Sequence, residues 1–243
     1  GKFSDVDAWQ LKQSFPGSGD ASPPAMWLDE IIHTGKANGG AITLPSTKFT
    51  SYVFANRVDT VNDKYTPLTR RRLVGIENET GGYIGIAYSG DDSSNQYCKA
   101  GVRMPASPDQ DKLRCYAAWW SPPSSKAPVL DYFHKYLVTD ITEEDLTGGG
   151  APVKVHYDYL GDPAWHYDEG QFTKADKKTW GQWRGYEKIR TTTGEDSAPK
   201  LVTETTYLRG MDGDHLSDGS LRHPDPVKDS AGGTIVDQDP LQG

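Results

Sequence analysis

The chain has 243 residues, a formal net charge of −8 and only 35% hydrophobic residues. It is long enough for one large or two small domains with a sizeable core. The acidic balance argues against a nucleic-acid partner, because such binding draws its affinity from Lys and Arg. The only basic run, Arg70-Arg71-Arg72, is too short to change this. No stretch approaches the ~20 apolar residues of a membrane span.

Glycine and proline punctuate the chain every few residues, with 26 Gly and 16 Pro, which is typical of many short strands joined by turns. The same unit returns four times: an alternating strand, a Thr-Gly turn and a second alternating strand. The turns fall at Gly35, Gly81, Gly148 and Gly194, where glycine is expected to supply the positive φ of a tight hairpin. We therefore predict an all-β fold, with successive antiparallel hairpins forming one large twisted sheet and little helix.

The ends of the chain bear on its domain organisation. The N-terminal stretch "GKFSDVDAWQ" lacks the apolar core of a signal peptide, and the C-terminus stops in polar loop sequence. Both ends look cut, so we expect a β-rich segment, residues 1–243, of a longer protein. A division into 1–125 and 126–243 is the alternative.

Cys98 and Cys115 lie in the polar loop "YCKAGVRMPASPDQDKLRCY". Either both are free thiols or a disulfide closes the loop, which in the simplest model removes roughly 3 kcal/mol of unfolded-chain entropy. Metal binding needs more ligands at short spacing than this stretch offers. We favour the disulfide, which implies an oxidising, extracellular setting.

The stretch "GDPAWHYDEG" concentrates aromatic residues after a turn signal at Gly161-Asp162-Pro163. Trp165 and Tyr167 alternate there with His166, and Trp180 and Trp183 follow in "TWGQWRGY". Each large aromatic can bury about 150 to 250 Å², so the structural interpretation is an aromatic cluster that seals the sheet. The functional interpretation is a sugar-stacking platform made of these four rings. Buried rings favour the first interpretation, and a coplanar exposed row favours the second.

Catalytic and metal-binding patterns are weak. Ser18 in "PGSGD" has no following helix to make a nucleophile elbow, and phosphate-loop, zinc-protease and dinucleotide motifs are absent. Asp212, Asp214 and Asp218 offer oxygen ligands for calcium, but an EF-hand loop wants an acid where Leu216 stands. We interpret that stretch as a solvated Asp-Gly turn. The sequence assigns no catalytic residue, no metal and no cofactor.

Several longer stretches resemble a known family. "NRVDTVNDKYTPLTRRRLVGIENETGGYIGIAYS", "LDYFHKYLVTDITEEDLTGG", "YDYLGDPAWHYDE", "KTWGQWRGYEKI" and "TYLRGMDGD" are similar, in the same order, to blocks of the large secreted Rhs (YD-repeat) proteins of actinobacteria. The resemblance runs from about Val6 to the C-terminus. It implies a β-sheet ribbon that winds into a hollow shell around a toxic C-terminal domain, as in the shell-forming components of Tc toxins and in teneurins.

The hairpins are longer and more irregular than the family's simplest repeat, so both a wall of the shell and an appended β module stay open. The family's self-cleaving segment is not carried over, because "QDPLQG" has Asp239-Pro240 but misplaces the glycine. The resemblance implies a non-enzymatic structural role in a secreted protein, with the rest of the parent chain and its toxin as partners. The alternative is a carbohydrate- or receptor-binding module that contacts a cell-surface glycan or receptor. A hydrolase is the third interpretation and needs a cleft where acids meet a histidine.

Overall fold

The computed structural model describes residues 5–36, 40–59 and 63–239. The strands of these residues are β1 (Asp7–Ser14), β2 (Trp27–Gly35), β3 (Ile42–Thr43), β4 (Thr47–Ala55), β5 (Thr69–Glu77), β6 (Gly82–Tyr88), β7 (Cys115–Trp120), β8 (Val129–His134), β9 (Val138–Asp145), β10 (Val153–Leu160), β11 (Ala164–His166), β12 (Gln182–Gly185), β13 (Lys188–Gly194), β14 (Leu201–Thr206), β15 (Val227–Lys228) and β16 (Thr234–Ile235). Single 3-10 turns occur at Pro108–Gln110 and Ala175–Lys177. The described ranges contain no helix with the length and apolar character needed to cross a membrane.

Ten strands form one antiparallel sheet in the order β1-β2-β4-β5-β6-β9-β10-β13-β14, with the short β3 paired to β2. Three separate two-stranded hairpins, β7–β8, β11–β12 and β15–β16, lie outside it. The sheet does not close on itself, so β1 and β14 are its edges. The prediction of an all-β fold built from antiparallel hairpins in a large sheet is confirmed.

The Thr-Gly turns all lie at one end of the strands. Gly81, Gly148 and Gly194 have φ of 86°, 96° and 146°, so the positive φ that the sequence predicted is present at these three positions. Gly35 differs, because it is the last residue of β2 and has no positive φ. The turn after it includes residues 37–39, which lie outside the described residues.

Side chains of Asn and Asp reinforce two of these turns. Asn78 Oδ1 accepts hydrogen bonds from the backbone N–H groups of Thr80 and Gly82, at 3.0 and 2.8 Å. Asp145 Oδ1 accepts one from the N–H of Thr147, at 2.8 Å. Asn and Asp favour turns for this reason, because their side chains bond to backbone groups a few residues further on.

The opposite end of the sheet carries every long connection. We call these segments the cap; within the described residues they are 15–26, 56–59 with 63–68, 89–137, 161–187 and 207–239. The buried hydrophobic residues and the buried polar residues of the described chain all lie in the cap. Among the sheet strands, only Gly75 is buried. The core of the molecule is therefore in the cap and not against a face of the sheet.

The sheet has two chemically different faces. Ile76 pairs with Ile84 and Ile141 pairs with Val155 across neighbouring strands, and all four side chains are only half-buried. The next positions along the strands point to the other face and carry cross-strand ion pairs such as Lys48–Glu77, at 3.3 Å. An apolar sheet face normally packs against another layer, but these four side chains are only partly covered by the described residues.

Candidate functional site

The four aromatic residues that the sequence proposed as a sugar platform divide into a deeper pair and a shallower pair. Trp165 is 3% exposed, and its Nε1 donates a 2.9 Å hydrogen bond to the carbonyl oxygen of Leu113. Its ring meets that of Trp183 edge-on, with centroids 4.7 Å apart, because the two residues are cross-strand partners in β11–β12. Trp165 therefore presents no open ring face to solvent.

A chain of ring contacts connects this pair to the sheet. Trp183 lies 5.9 Å from Tyr186, and Tyr186 lies 5.2 Å from Tyr159 of β10, measured between centroids. The hydroxyl of the buried Tyr186 donates to Gln96 Oε1 at 2.6 Å, and burial raises its pKa. The cluster thus joins the 161–187 segment to both the sheet and the disulfide region, as a sealing cluster does.

Tyr167 and Trp180 form the shallower pair, and both are half-buried. Their rings are 5.0 Å apart and inclined by 54°. Trp180 Nε1 donates to the carbonyl oxygen of His215 at 2.7 Å, and Tyr167 also packs against the His215 ring. The rings are inclined to each other within both pairs, so the four form no coplanar row. Sugar binding by them stays a prediction.

The disulfide prediction is confirmed, since Cys98 and Cys115 are bonded with their Cα atoms 6.0 Å apart. Both are fully buried and pack with Val58 in a small core. Val58 belongs to the connection between β4 and β5, and its N–H donates to the carbonyl oxygen of Tyr132 at 2.9 Å. The disulfide therefore holds the loop where two other segments of the cap meet.

Two aspartates inside the disulfide loop have opposite environments. Asp109 Oδ2 accepts hydrogen bonds from the N–H and hydroxyl of Ser217, at 3.2 and 2.8 Å. Burial acts to raise its pKa, but the serine hydrogen bonds outweigh burial and hold the pKa at about 2. Asp111 is 8% exposed, and its only hydrogen bond in the described chain comes from the N–H of Leu113. Burial raises the pKa of Asp111 to about 8.

Buried ion pairs attach the C-terminal segment 207–239 to the rest of the cap. Asp214 is fully buried; its Oδ1 accepts from the N–H of Tyr167 at 3.0 Å and lies 3.5 Å from His166 Nε2. Arg184 pairs with Asp239 at 2.5 Å. Buried charges are tolerated when they are paired in this way, and the arrangement fixes the segment in place.

Arg57 is a second buried charge that the sequence did not reveal. It is 0% exposed and contacts Asp59 and Asp63 on its own connection. It also pairs with Asp131 of β8 at 3.0 Å, and its Nε donates to the carbonyl oxygen of Thr66 at 2.8 Å. The planar guanidinium suits several oxygen partners at once, so Arg57 joins the β4–β5 connection to the β7–β8 hairpin.

The acids considered for calcium lie in three different settings. Asp212 contacts His223 at 2.8 Å, Asp214 is buried with Arg222 Nε at 3.5 Å, and Asp218 Oδ1 accepts from the N–H of Ser220 in a turn. Across the part of the chain that the structure describes, no three His, Cys, Asp or Glu side chains are grouped to hold a metal ion.

Ser18 donates to Asp20 at 2.8 Å, and no hydrogen bond between Ser or Cys and a histidine occurs in that same part.

A groove between β7 and the 161–187 segment has a volume of about 480 Å³, within the range of small-molecule sites. It is lined by Tyr116, Ala117, Ala118, Trp119, Asp168, Thr173, Lys177, Thr179, Gly181 and Gln182. The ammonium of Lys177 lies 3.6 Å from the centre of the Trp119 ring. Sequence reasoning missed this groove, because the "AAWW" run gives no indication that a distant lysine and aspartate face it.

The fold and these contacts define a disulfide-bonded all-β protein with one open sheet and a separately packed cap. No family model matches the chain, and no curated protein or solved structure matches it either.

Proposed function

We propose that the chain is a non-enzymatic structural segment of a longer secreted protein of the Rhs (YD-repeat) type, where it forms part of the shell around a C-terminal toxin. The observation that supports this most is the open sheet. Its edge strands are unpaired on one side, and its apolar face is only half-buried.

An isolated sheet of this kind is unusual in a self-contained protein. Every residue of β14 is exposed, including Leu201 and Val202 at 67% and 56%. Edge strands are normally shortened, charged or covered, because their free N–H and C=O groups pair with other strands. A long exposed edge is suited to continuation of the sheet by further strands of the parent chain.

The disulfide supports the secreted setting. Disulfides persist in oxidising compartments and are rare in the cytosol, and the Cys98–Cys115 bond lies in a small buried hydrophobic cluster of the cap. The cap gives such a segment its own core, so the sheet is held in shape while both of its faces stay available. A sheet whose core lies in a separate cap is suited to form part of the wall of a shell.

Amide hydrogen exchange tests the structural role. We expect the amides of β1 and β14 to exchange quickly in the chain alone and to become protected in the longer secreted polypeptide. The central strands β9 and β10 serve as the internal control and should be protected in both samples. Equal, fast exchange of β14 in both would show that the sheet ends there and would overturn the proposal.

Electron micrographs of the same polypeptide test the shell itself, since a particle without a closed hollow interior contradicts it.

The alternative, a carbohydrate- or receptor-binding module, rests on surface aromatics. The half-buried Tyr167–Trp180 pair is one candidate surface, and its rings are already engaged with each other and with His215. Loss of glycan-array binding in Trp180→Ala, with the thermal midpoint unchanged, would favour this alternative. Unchanged binding in that variant would exclude the Tyr167–Trp180 surface.

A further inference from the structure

The groove beside β7 is kept open by its sequence. Two small residues, Ala117 and Ala118, stand between Tyr116 and Trp119 on the floor. Gly181 faces them, and a Cβ added there would lie 3.2 Å from the carbonyl oxygen of Ala117. Larger side chains at these positions would fill the space or push the two segments apart.

Polar groups line the same groove as the Trp119 indole. The Asp168 carboxylate accepts a hydrogen bond from the N–H of Gly170 at 2.8 Å. The Thr173 hydroxyl is the main cause that lowers the pKa of Asp168, and Gln182 also contributes, so the carboxylate is an acceptor at neutral pH. Gln182 is exposed at the rim. An aromatic face with a few fixed polar groups around it is the usual make-up of a small-molecule site.

The Lys177 ammonium lies over the face of the Trp119 ring. Its side chain is 31% exposed, and its other partner is the neighbouring Asp176 at 3.3 Å. The Lys177 side chain is partly exposed, so its cation–π contact is a modest one, and a lysine side chain is long and flexible. A ligand that covers the Trp119 face can therefore displace Lys177 towards solvent.

We propose that this groove binds a neutral sugar, with the apolar face of a pyranose ring on Trp119 and hydroxyls bonded to Asp168 and Gln182. A purely apolar ligand would remove water from the Asp168 carboxylate without offering it a further hydrogen-bond donor, which is costly. An anionic group placed against Asp168 would be repelled by its carboxylate. A polyhydroxylated neutral ring satisfies both the aromatic face and the acceptors. This site is independent of the shell role, which stands or falls on the open sheet.

Saturation-transfer NMR on the full chain tests the proposal. The probes are methyl β-D-glucopyranoside, methyl α-D-mannopyranoside and N-acetyl-D-glucosamine at about 10 mM, enough to occupy most of a site with a Kd of about 1 mM. D-glucuronate is the charged comparison. We expect transfer to the ring protons of at least one neutral probe and weaker transfer to glucuronate. No transfer to any neutral probe, or stronger transfer to glucuronate, would overturn the proposal.

Variants locate the binding in the groove. Trp119→Ala should weaken binding by about tenfold or more, and Trp9→Ala is the matched control, because Trp9 is 61% exposed on β1, outside the groove. Gln182→Ala removes a proposed hydroxyl partner at the exposed rim while it keeps the indole, so it should also weaken binding even if Trp119→Ala fails to fold. Lys177→Ala uncovers the ring and should preserve or strengthen binding. Full binding in Gln182→Ala, or loss of binding in Lys177→Ala, contradicts this site.

Discussion

The indole Nε1 of Trp165 donates a 2.9 Å hydrogen bond to the carbonyl oxygen of Leu113, across 52 positions of the sequence. Leu113 lies two residues before Cys115, so this bond connects the β11–β12 hairpin directly to the disulfide loop. The ring itself is packed between Tyr116 and Trp183, at 5.1 and 4.7 Å between centroids. Trp165 is therefore a point where three parts of the cap depend on each other.

Truncation of Trp165 should be strongly destabilising. Trp165→Ala removes a buried ring and its hydrogen bond, and we expect the free energy of unfolding to fall by about 3 to 5 kcal/mol. Trp9→Ala serves as the control and should cost about 0.5 kcal/mol, because Trp9 is largely exposed. Urea titrations followed by circular dichroism measure both. An unchanged midpoint for Trp165→Ala would mean that the ring does not seal the cap.

Removal of the disulfide should also weaken the fold. In a Cys98→Ser, Cys115→Ser double variant we expect a loss of about 3 kcal/mol, since the crosslink restricts the unfolded chain across a separation of 17 residues. Non-reducing peptide mapping of protein from an oxidising compartment should first show the two cysteines linked. Alkylation of both thiols without prior reduction would contradict the bond.

Arg57 should tolerate no substitution. Arg57→Ala leaves Asp63 and Asp131 near an emptied buried site, and removing one partner of a buried ion pair typically costs about 3 to 5 kcal/mol. Arg57→Lys should recover little, because an ammonium cannot match several planar contacts at once. The comparison is Arg190→Ala, which breaks an exposed pair with Glu204 and should cost less than about 1 kcal/mol. Equal losses in Arg57→Ala and Arg190→Ala, measured by thermal melts, would refute this role.

The parts of this fold that the sequence predicted are those set by local chemistry. The turns at Gly81, Gly148 and Gly194 need a positive φ, which glycine marks within a few residues. The disulfide could be predicted because the chain has two cysteines, which allow a single pairing. The antiparallel sheet followed from these hairpins in series.

The cap could not be predicted in the same way, because its contacts join residues far apart in sequence. Asp109 bonds to Ser217 across 108 positions, and the groove at Trp119 depends on Lys177 from another segment. Neither partner carries a local signal. The alternation of Trp165 and Tyr167 predicted an aromatic cluster, but only tertiary packing decides which ring is buried.

Asp111 gives the fold a pH dependence with a defined sign. Burial raises its pKa from 3.8 to about 8 in the folded protein, whereas in the unfolded chain the carboxyl has an ordinary pKa. Below about pH 4 the Asp111 carboxyl is protonated in both the folded and the unfolded chain, and its neutral form then contributes its full share to the stability of the fold. Between about pH 4 and pH 8 the unfolded chain has lost a proton that the folded chain keeps, so stability falls by up to about 1.4 kcal/mol per pH unit.

Asp111→Asn replaces the carboxyl with a neutral group of similar size and should remove this slope. We expect the variant and the parent to have similar unfolding free energies at pH 4, and the variant to be more stable by a few kcal/mol at pH 8. Asp225→Asn is the matched control, because Asp225 is exposed in the same cap, and its pH profile should follow that of the parent. Urea titrations from pH 4 to pH 9 make the comparison. Parallel profiles for Asp111→Asn and the parent would show that Asp111 reaches solvent or a partner, and that its burial does not control the stability of the disulfide loop.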